Sequence, residues 1–292
     1  MDLSTFMVEV FCLIDDWLAD KKLRTRGPRP TLHDSEVLTM EVLGEFLGID
    51  EDKSIYTYFR QHWSAWFPGI AQVHRTTFTR QSANLWAVKQ ALWQHILGQI
   101  ELDPVVSIID SFPVPVCRFA RAYRCKLMPD AAAFGYDELA RQKFYGFRAH
   151  VLVCWPGVIV ATDLTPANVH DLSVAEYLAD DRSGYLLADR NYWSPRLRAD
   201  LAARGLHLLT PYKSAKRQKQ PWPRWLSHKR YRIETVFSQL VGRFNAKKVW
   251  ARDLWHLTNR WWRKILAHTL AVFTAQQFGF ESPLCFAELL KP

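Results

Sequence analysis

Three carboxylates stand where a metal-dependent site acting on phosphodiesters would need them. Asp110 closes the strand-like run 105–109, Asp189 closes a second run at 184–188, and Glu234 falls in a helix-like segment at 231–237. Two Asp at strand ends and one Glu on a late helix can gather around two divalent ions. Such ions, about 3.5–4 Å apart, activate the attacking oxygen and stabilise the leaving oxygen of an in-line displacement. Mg²⁺ wants hard oxygen ligands, and Mn²⁺ shares that preference. Three acids crowded together repel, and their pKa values rise unless a cation neutralises them. Asp110 would bridge both ions, with Asp189 and Glu234 each holding one side. Any one of these acids alone is a weak signal, since a strand-end Asp is often a turn residue or a helix cap.

The elements that must position them follow from periodicity and punctuation. Residues 1–100 read as helices: a first over 1–20, a second from the cap pair Asp34-Ser35 to Leu47, a third over 54–66, and a fourth over 76–100. The pattern changes at Leu102-Asp103-Pro104. Strands are expected at 105–116, 146–155 and 158–164, with a polar loop at 117–142. A helix follows at 171–181, a strand at 184–188, a helix from Pro195 to Arg204 and a strand at 206–210. Residues 213–229 are basic and read as an exposed insertion, and two helices close the chain at about 230–246 and 258–278. Three meandering strands followed by α/β alternation predict an α/β fold of the RNase-H-like kind, a mixed sheet flanked by helices. Two domains are expected: a helical N-terminal region at 1–101 and a catalytic domain at 102–292.

Composition narrows the partner. The chain of 292 residues has a net charge of +9 and 13 Trp. Between Arg196 and Lys264 there are 18 Lys or Arg against three acids, so the rest of the chain is net acidic. A long basic run interleaved with aromatic residues points to phosphate-backbone contact. No apolar run approaches the roughly 18 residues of a membrane helix. The N-terminus lacks a signal-peptide pattern. The five Cys are irregularly spaced, which argues for free thiols in a reducing compartment. A cytoplasmic protein, associated with the nucleoid in a bacterium, is expected.

Ordered motifs sharpen this. They are Ile109-Asp110-Ser111-Phe112-Pro113, Lys143-Phe144-Tyr145-Gly146-Phe147-Arg148-Ala149-His150 and Thr165-Pro166-Ala167-Asn168-Val169-His170-Asp171. Then come Leu187-Ala188-Asp189-Arg190-Asn191-Tyr192, Thr210-Pro211-Tyr212-Lys213 and Arg232-Ile233-Glu234-Thr235-Val236-Phe237-Ser238, with a leading Leu32-His33-Asp34-Ser35-Glu36-Val37-Leu38. This ordered set resembles the DDE transposases of bacterial insertion sequences, most closely the insertion sequence 982 family. The resemblance implies the RNase-H-like fold, a catalytic triad of Asp110, Asp189 and Glu234, two Mg²⁺ replaceable by Mn²⁺, and DNA strand cleavage and transfer. It implies double-stranded DNA partners, the inverted repeats at the element's ends and the target. An active homodimer is expected, because two ends must be held together.

The DNA-contact candidates are Lys143, Arg148, His170, Arg190, Lys213, Lys216, Arg217, Lys219, Tyr231, Arg232 and Arg243. Lys143 and Arg148 bracket a strand and face either the groove or solvent. Asp171 reads as a helix cap, with His170 the candidate beside the scissile phosphate. Trp222 and Trp225 are candidates for stacking on an unpaired base. The related signature places Tyr, Arg and Glu, then Lys, on one helix; seven residues beyond Glu234 this chain has Val241, with Arg243 and Lys247 nearby. The competing readings are a nuclease on the same fold without strand transfer, and a DNA-binding protein whose acids are structural.

Overall fold

A computed structural model describes residues 1–24, 27–214, 221–286 and 289. The chain forms two compact units, one of residues 1–100, 240–246 and 250–292, the other of 101–239 and 247–249.

The first unit opens with α1 (Leu3–Leu18), which buries Phe6, Met7, Val10 and Ile14 and is capped by the Asp2 carboxylate accepting from the Thr5 amide. The next helix, α2 (Asp34–Phe46), has His33 rather than Asp34 at its N-cap. It is followed by α3 (Asp52–His62) and the short α4 (Gly69–Gln72). The single helix expected over 76–100 is two, α5 (Arg75–Asn84) and α6 (Trp86–Leu97), broken at Leu85. At the break the Ser82 carbonyl accepts from the Leu85 amide and from the buried Lys89 ammonium, 2.9 Å away.

The second unit is built on β1 (Asp103–Pro115). A short 3₁₀ turn at Phe119–Arg124 leads to β2 (Ala133–Asp137), inside the segment expected to be loop. The long β3 (Gln142–Trp155) pairs antiparallel with β1, β2 and β4 (Val158–Pro166). Then come α7 (Asp171–Leu178), β5 (Gly184–Leu187), α8 (Pro195–Ala202) and β6 (Leu206–Leu209). β5 lies parallel to β1, and β6 parallel to β5. An antiparallel β4-β3-β1 half joined to a parallel β1-β5-β6 half is the RNase-H-like arrangement expected from the order of elements. Helix α9 (Arg224–Ser238) starts six residues earlier than expected, so residues 224–229 are its first turns and no insertion. It packs on the sheet through Phe237 against Phe112, with ring centroids 4.8 Å apart.

One glycine fixes the register that matters most. Gly184 opens β5 at φ +90°, and a Cβ there would lie 2.5 Å from the Val105 carbonyl oxygen. Only glycine combines that dihedral with so close an approach. The pairing that follows sets Val106 beside Tyr185 and Ile108 beside Leu187. Two residues further along the chain stand Asp110, still within β1, and Asp189, just past the end of β5.

The last helix, α10 (Leu254–Gln277), returns to the first unit, whereas the sequence reading placed everything after residue 101 in one domain. The reason is a buried ion network. Arg263, fully buried, donates to Glu45 (2.6 Å), Asp52 (2.7 Å) and the Asp50 carbonyl (2.7 Å). Lys264 pairs with Glu45 at 2.9 Å, Arg260 with Asp52 at 3.0 Å, and Lys89 with Glu41 at 2.6 Å. Burial pulls the Lys89 and Lys264 ammonium pKa values down, against the carboxylates that hold them up. Removing one member strands the others without solvent. Arg263→Met should therefore cost about 3–5 kcal/mol in urea unfolding of the full chain. A loss below about 1 kcal/mol would show that α10 is held by its apolar face alone.

Candidate active site

β1 alternates its side chains between two environments. Asp110 and Phe112 share the face that carries α9. Ser111 and Pro113 share the other with their cross-strand partners His150 and Arg148. Asp110 accepts from the Ser111 amide at 2.8 Å, and its side chain is only 22% exposed. Asp189 follows the last residues of β5 and caps the 3₁₀ turn Arg190–Tyr192, accepting from the Asn191 amide at 2.8 Å. Glu234 projects from α9 and is 43% exposed.

A single guanidinium links them. Arg230, one helical turn before Glu234, donates to it at 3.0 Å and lies 3.8 Å from Asp110. Its charge also reaches Asp189. Burial, then the nearby Asp189 charge, pushes the Asp110 carboxyl up to about 7, against the pull of the Ser111 amide and Arg230. Burial raises Asp189 as well. Two half-hidden carboxylates, one within β1 and one just past the end of β5, with a third on the helix facing them, offer only oxygen donors and a surplus of negative charge. That donor set suits a hard divalent cation. Among the described residues, no three acidic, His or Cys side chains are close enough to hold an ion as they stand. The Glu234 carboxylate is engaged by Arg230 at 3.0 Å.

A fourth acid lies on the other face. Asp171 accepts from Ser111 Oγ at 3.1 Å and lies 3.7 Å from both Arg148 and His150. Burial raises its pKa, with Arg148 opposing. His150 is fully buried and held neutral, its pKa drawn down to about 3 by burial and by Arg148. Tyr192, also buried, has its phenol pushed far up by burial and by the charges of Asp171, Asp110 and Asp189.

The remaining candidates scatter. His170 caps α7, its Nδ1 accepting from the Leu172 amide, so the cap expected of Asp171 is made by His170. Arg148 is turned inward to Ser111, Asp171 and the Tyr136 carbonyl. Arg190 donates to the Tyr212 carbonyl at 3.2 Å. Lys143 and Lys213 are exposed, while Lys216, Arg217 and Lys219 lie outside the described residues. Arg243 belongs to the helical unit, where it donates to the Phe46 carbonyl and lies over the Phe46 and Phe286 rings. Trp222 is half-buried.

Trp225 and Tyr231 are each 63% exposed on α9. They line a concavity with Trp155, His228, Lys229 and Arg232, in which Lys229 Nζ sits 3.5 Å from the Trp155 ring centroid and Arg232 5.0 Å. Arg230 and Trp155 were not among the residues expected from the sequence, and Asp171 was expected only as a helix cap. Only Arg230 had a legible signal, its spacing of four residues from Glu234 on a helix.

Residues 102–248, half of the chain, match the family described as the transposase DDE domain. No curated protein matches. Among solved structures, the chain is similar to a piggyBac transposase synaptic complex with hairpin DNA, at 11% identity and TM-score 0.44, over 96% of this chain and 76% of that one. It is also similar to a Mos1 mariner paired-end complex with Mn, at 11% identity and TM-score 0.23, over 94% and 87%. A pre-cleavage Mos1 transpososome gives 14% identity and TM-score 0.23, over 88% and 82%. With Asp110, Asp189 and Glu234 all falling inside the matched segment, the chain belongs to the family of transposases with a DDE domain.

Proposed function

We propose that this transposase cleaves DNA at the ends of an insertion sequence, of the 982 type that its motifs resemble, and joins the freed 3′-hydroxyls to target DNA. The observation that carries the reading is the placement of Asp110 on β1 and Asp189 just past the end of the adjacent parallel strand β5, with Glu234 tied to Asp110 through one guanidinium. Asp110, Asp189 and Glu234 would hold the metal, Mg²⁺ or Mn²⁺. When bound, it supplies Lewis-acid activation of the attacking oxygen and charge relief at the leaving oxygen. The chain's own contribution is to fix the carboxylates, limit water around Asp110 and offer cations to the phosphates. One site would serve both steps, with water as the nucleophile for cleavage and the 3′-hydroxyl for joining.

The concavity on α9 is the DNA-contact surface best supported by position. Lys229, Arg232, Tyr231 and Trp225 share the helix of Glu234, and their exposed rings and cations suit backbone and base stacking. Lys143, Arg190 and Lys213 extend this assignment as exposed or half-exposed cations. The helical unit is assigned to end recognition or assembly within a homodimer. Its inward-turned guanidiniums at Arg243 and Arg263 leave those roles to other surfaces.

Asp110→Asn, Asp189→Asn and Glu234→Gln should each abolish nicking and joining of terminal-repeat DNA while leaving its binding within a few-fold of wild type. Normal turnover in any one removes that residue from the site. Joined products from precut ends and a plasmid separate a transposase from a nuclease.

Replacing Lys229 and Arg232 together with Ala should weaken DNA binding and lower the slope of log K against log salt by about two, near one per phosphate contact. An unchanged slope would place DNA elsewhere.

Metal binding requires deprotonated carboxylates. Because Asp110 keeps its proton up to about pH 7, Mn²⁺ binding should weaken as pH falls from 8 to 6 and should release close to one proton at pH 6. Isothermal titrations in buffers of different ionisation heat count that proton. None released at pH 6 would mean Asp110 is not a ligand.

A further inference from the structure

The face of β1 opposite Asp110 holds a built polar cluster that the triad leaves unused. Ser111 is its centre. The Ser111 amide donates to Asp110 at 2.8 Å, and its hydroxyl donates to Asp171 at 3.1 Å. Arg148 donates to the same hydroxyl at 3.3 Å, lies 3.7 Å from Asp171, and is anchored to the Tyr136 carbonyl at 3.0 Å. Both side chains are largely hidden, at 20% and 13% exposure. His150, behind them, bonds Thr165 at 2.9 Å, which leaves Asp171 to Ser111 and Arg148. A guanidinium engaged on three sides has little left to offer a phosphate. What it does hold is the residue whose backbone fixes the Asp110 carboxylate.

We propose that Asp171 and Arg148 are positioning residues for Asp110, acting through Ser111 from the far side of the sheet. The inference rests on the metal-site reading of Asp110 and goes beyond it. It takes Arg148 away from the DNA-contact set and gives Asp171 a role beyond its place at the start of α7. The carboxylate and guanidinium clamp the Ser111 hydroxyl, which holds the Ser111 peptide in the orientation that donates to Asp110. The carboxylate is thereby kept in one rotamer, aimed at the α9 face.

The test uses the DNA-free full-length protein, Mn²⁺ titration by electron paramagnetic resonance, and thermal melting as control. Outer partners of metal ligands typically weaken affinity or activity by about 10–100-fold when removed. Asp171→Asn and Arg148→Gln should each weaken Mn²⁺ binding about tenfold with melting little changed. The double variant should be no weaker than the worse single, because both act through one hydroxyl. DNA cleavage by these variants should fall in kcat, with KM for DNA unchanged. If Asp171→Asn fails to fold, Ser111→Ala cuts the same link and carries the same expectation.

Mn²⁺ binding within twofold of wild type in the single variants overturns the proposal, as does simple additivity in the double. A shallower salt slope for DNA binding in Arg148→Gln returns that residue to the DNA surface and also overturns it. Asp110→Asn separates the two levels. Its failure to weaken Mn²⁺ binding sinks the metal-site reading and the inference together, whereas weakening there but not in Asp171→Asn sinks the inference alone.

Discussion

The parallel register of β1 and β5 is the constraint from which the site follows. Neighbouring strands lie about 4.8 Å apart, so a register that carries Ile108 beside Leu187 also carries Asp110 toward Asp189. Two carboxylates so placed, half removed from water, cannot both ionise without compensation. The Asp110 carboxyl is pushed up to about 7 by burial and by this neighbour. The repulsion is a property of the backbone pairing, and Gly184 is where that pairing is set. Arg230 answers part of it with one positive charge on a rigid fork. A guanidinium can bridge two acids in this way, whereas a lysine ammonium is a single point on a flexible stem.

The helical unit solves a different problem with the same residue types. Its four buried cations, Lys89, Arg260, Arg263 and Lys264, face Glu41, Glu45 and Asp52. Replacing such networks by apolar side chains is often neutral or stabilising, but breaking them is costly. Their geometric demands specify one docking of α10 on α2 and α3, which apolar packing alone leaves less exact. The basic stretch between residues 196 and 264 therefore has two uses. Arg260, Arg263 and Lys264 are internal, while Lys229, Arg230 and Arg232 sit on the helix of Glu234. Net charge along the sequence overstated what is offered to DNA.

The order of elements was legible because periodicity and punctuation are local. The strand carrying Asp110, the strand just before Asp189, the helix bearing Glu234 and the first three helices were expected close to where they lie, although β1 runs on to Pro115 and leaves Asp110 within the strand and not at its end. What failed depends on distant partners. The strand β2 is five residues long and is strand only because β3 pairs with it. The break at Leu85 follows from Lys89 reaching the Ser82 carbonyl within a network closed by α10. The return of α10 to the helical unit is decided by acids more than 200 residues earlier. His170 caps α7 in place of Asp171 for a similar reason. Either can cap a helix, and the choice was made by Ser111 and Arg148, remote in sequence.

The two faces of β1 explain why support and chemistry can be mistaken for each other. The period of two sends Asp110 toward α9 and Ser111 toward α7, yet the peptide between them belongs to both faces. A change on the α7 side is felt at Asp110 without any side chain crossing the sheet. The same logic makes the middle strand of such a sheet a sensible place for an acid that must keep one orientation. It is paired with β3 along its length through Asp110 and with β5 as far as Ile108, so its backbone enters the site already held. An acid on an edge strand would need its own clamp to keep one orientation. Asp110 inherits most of its rigidity from hydrogen bonds the sheet makes in any case, and Ser111 supplies the remainder.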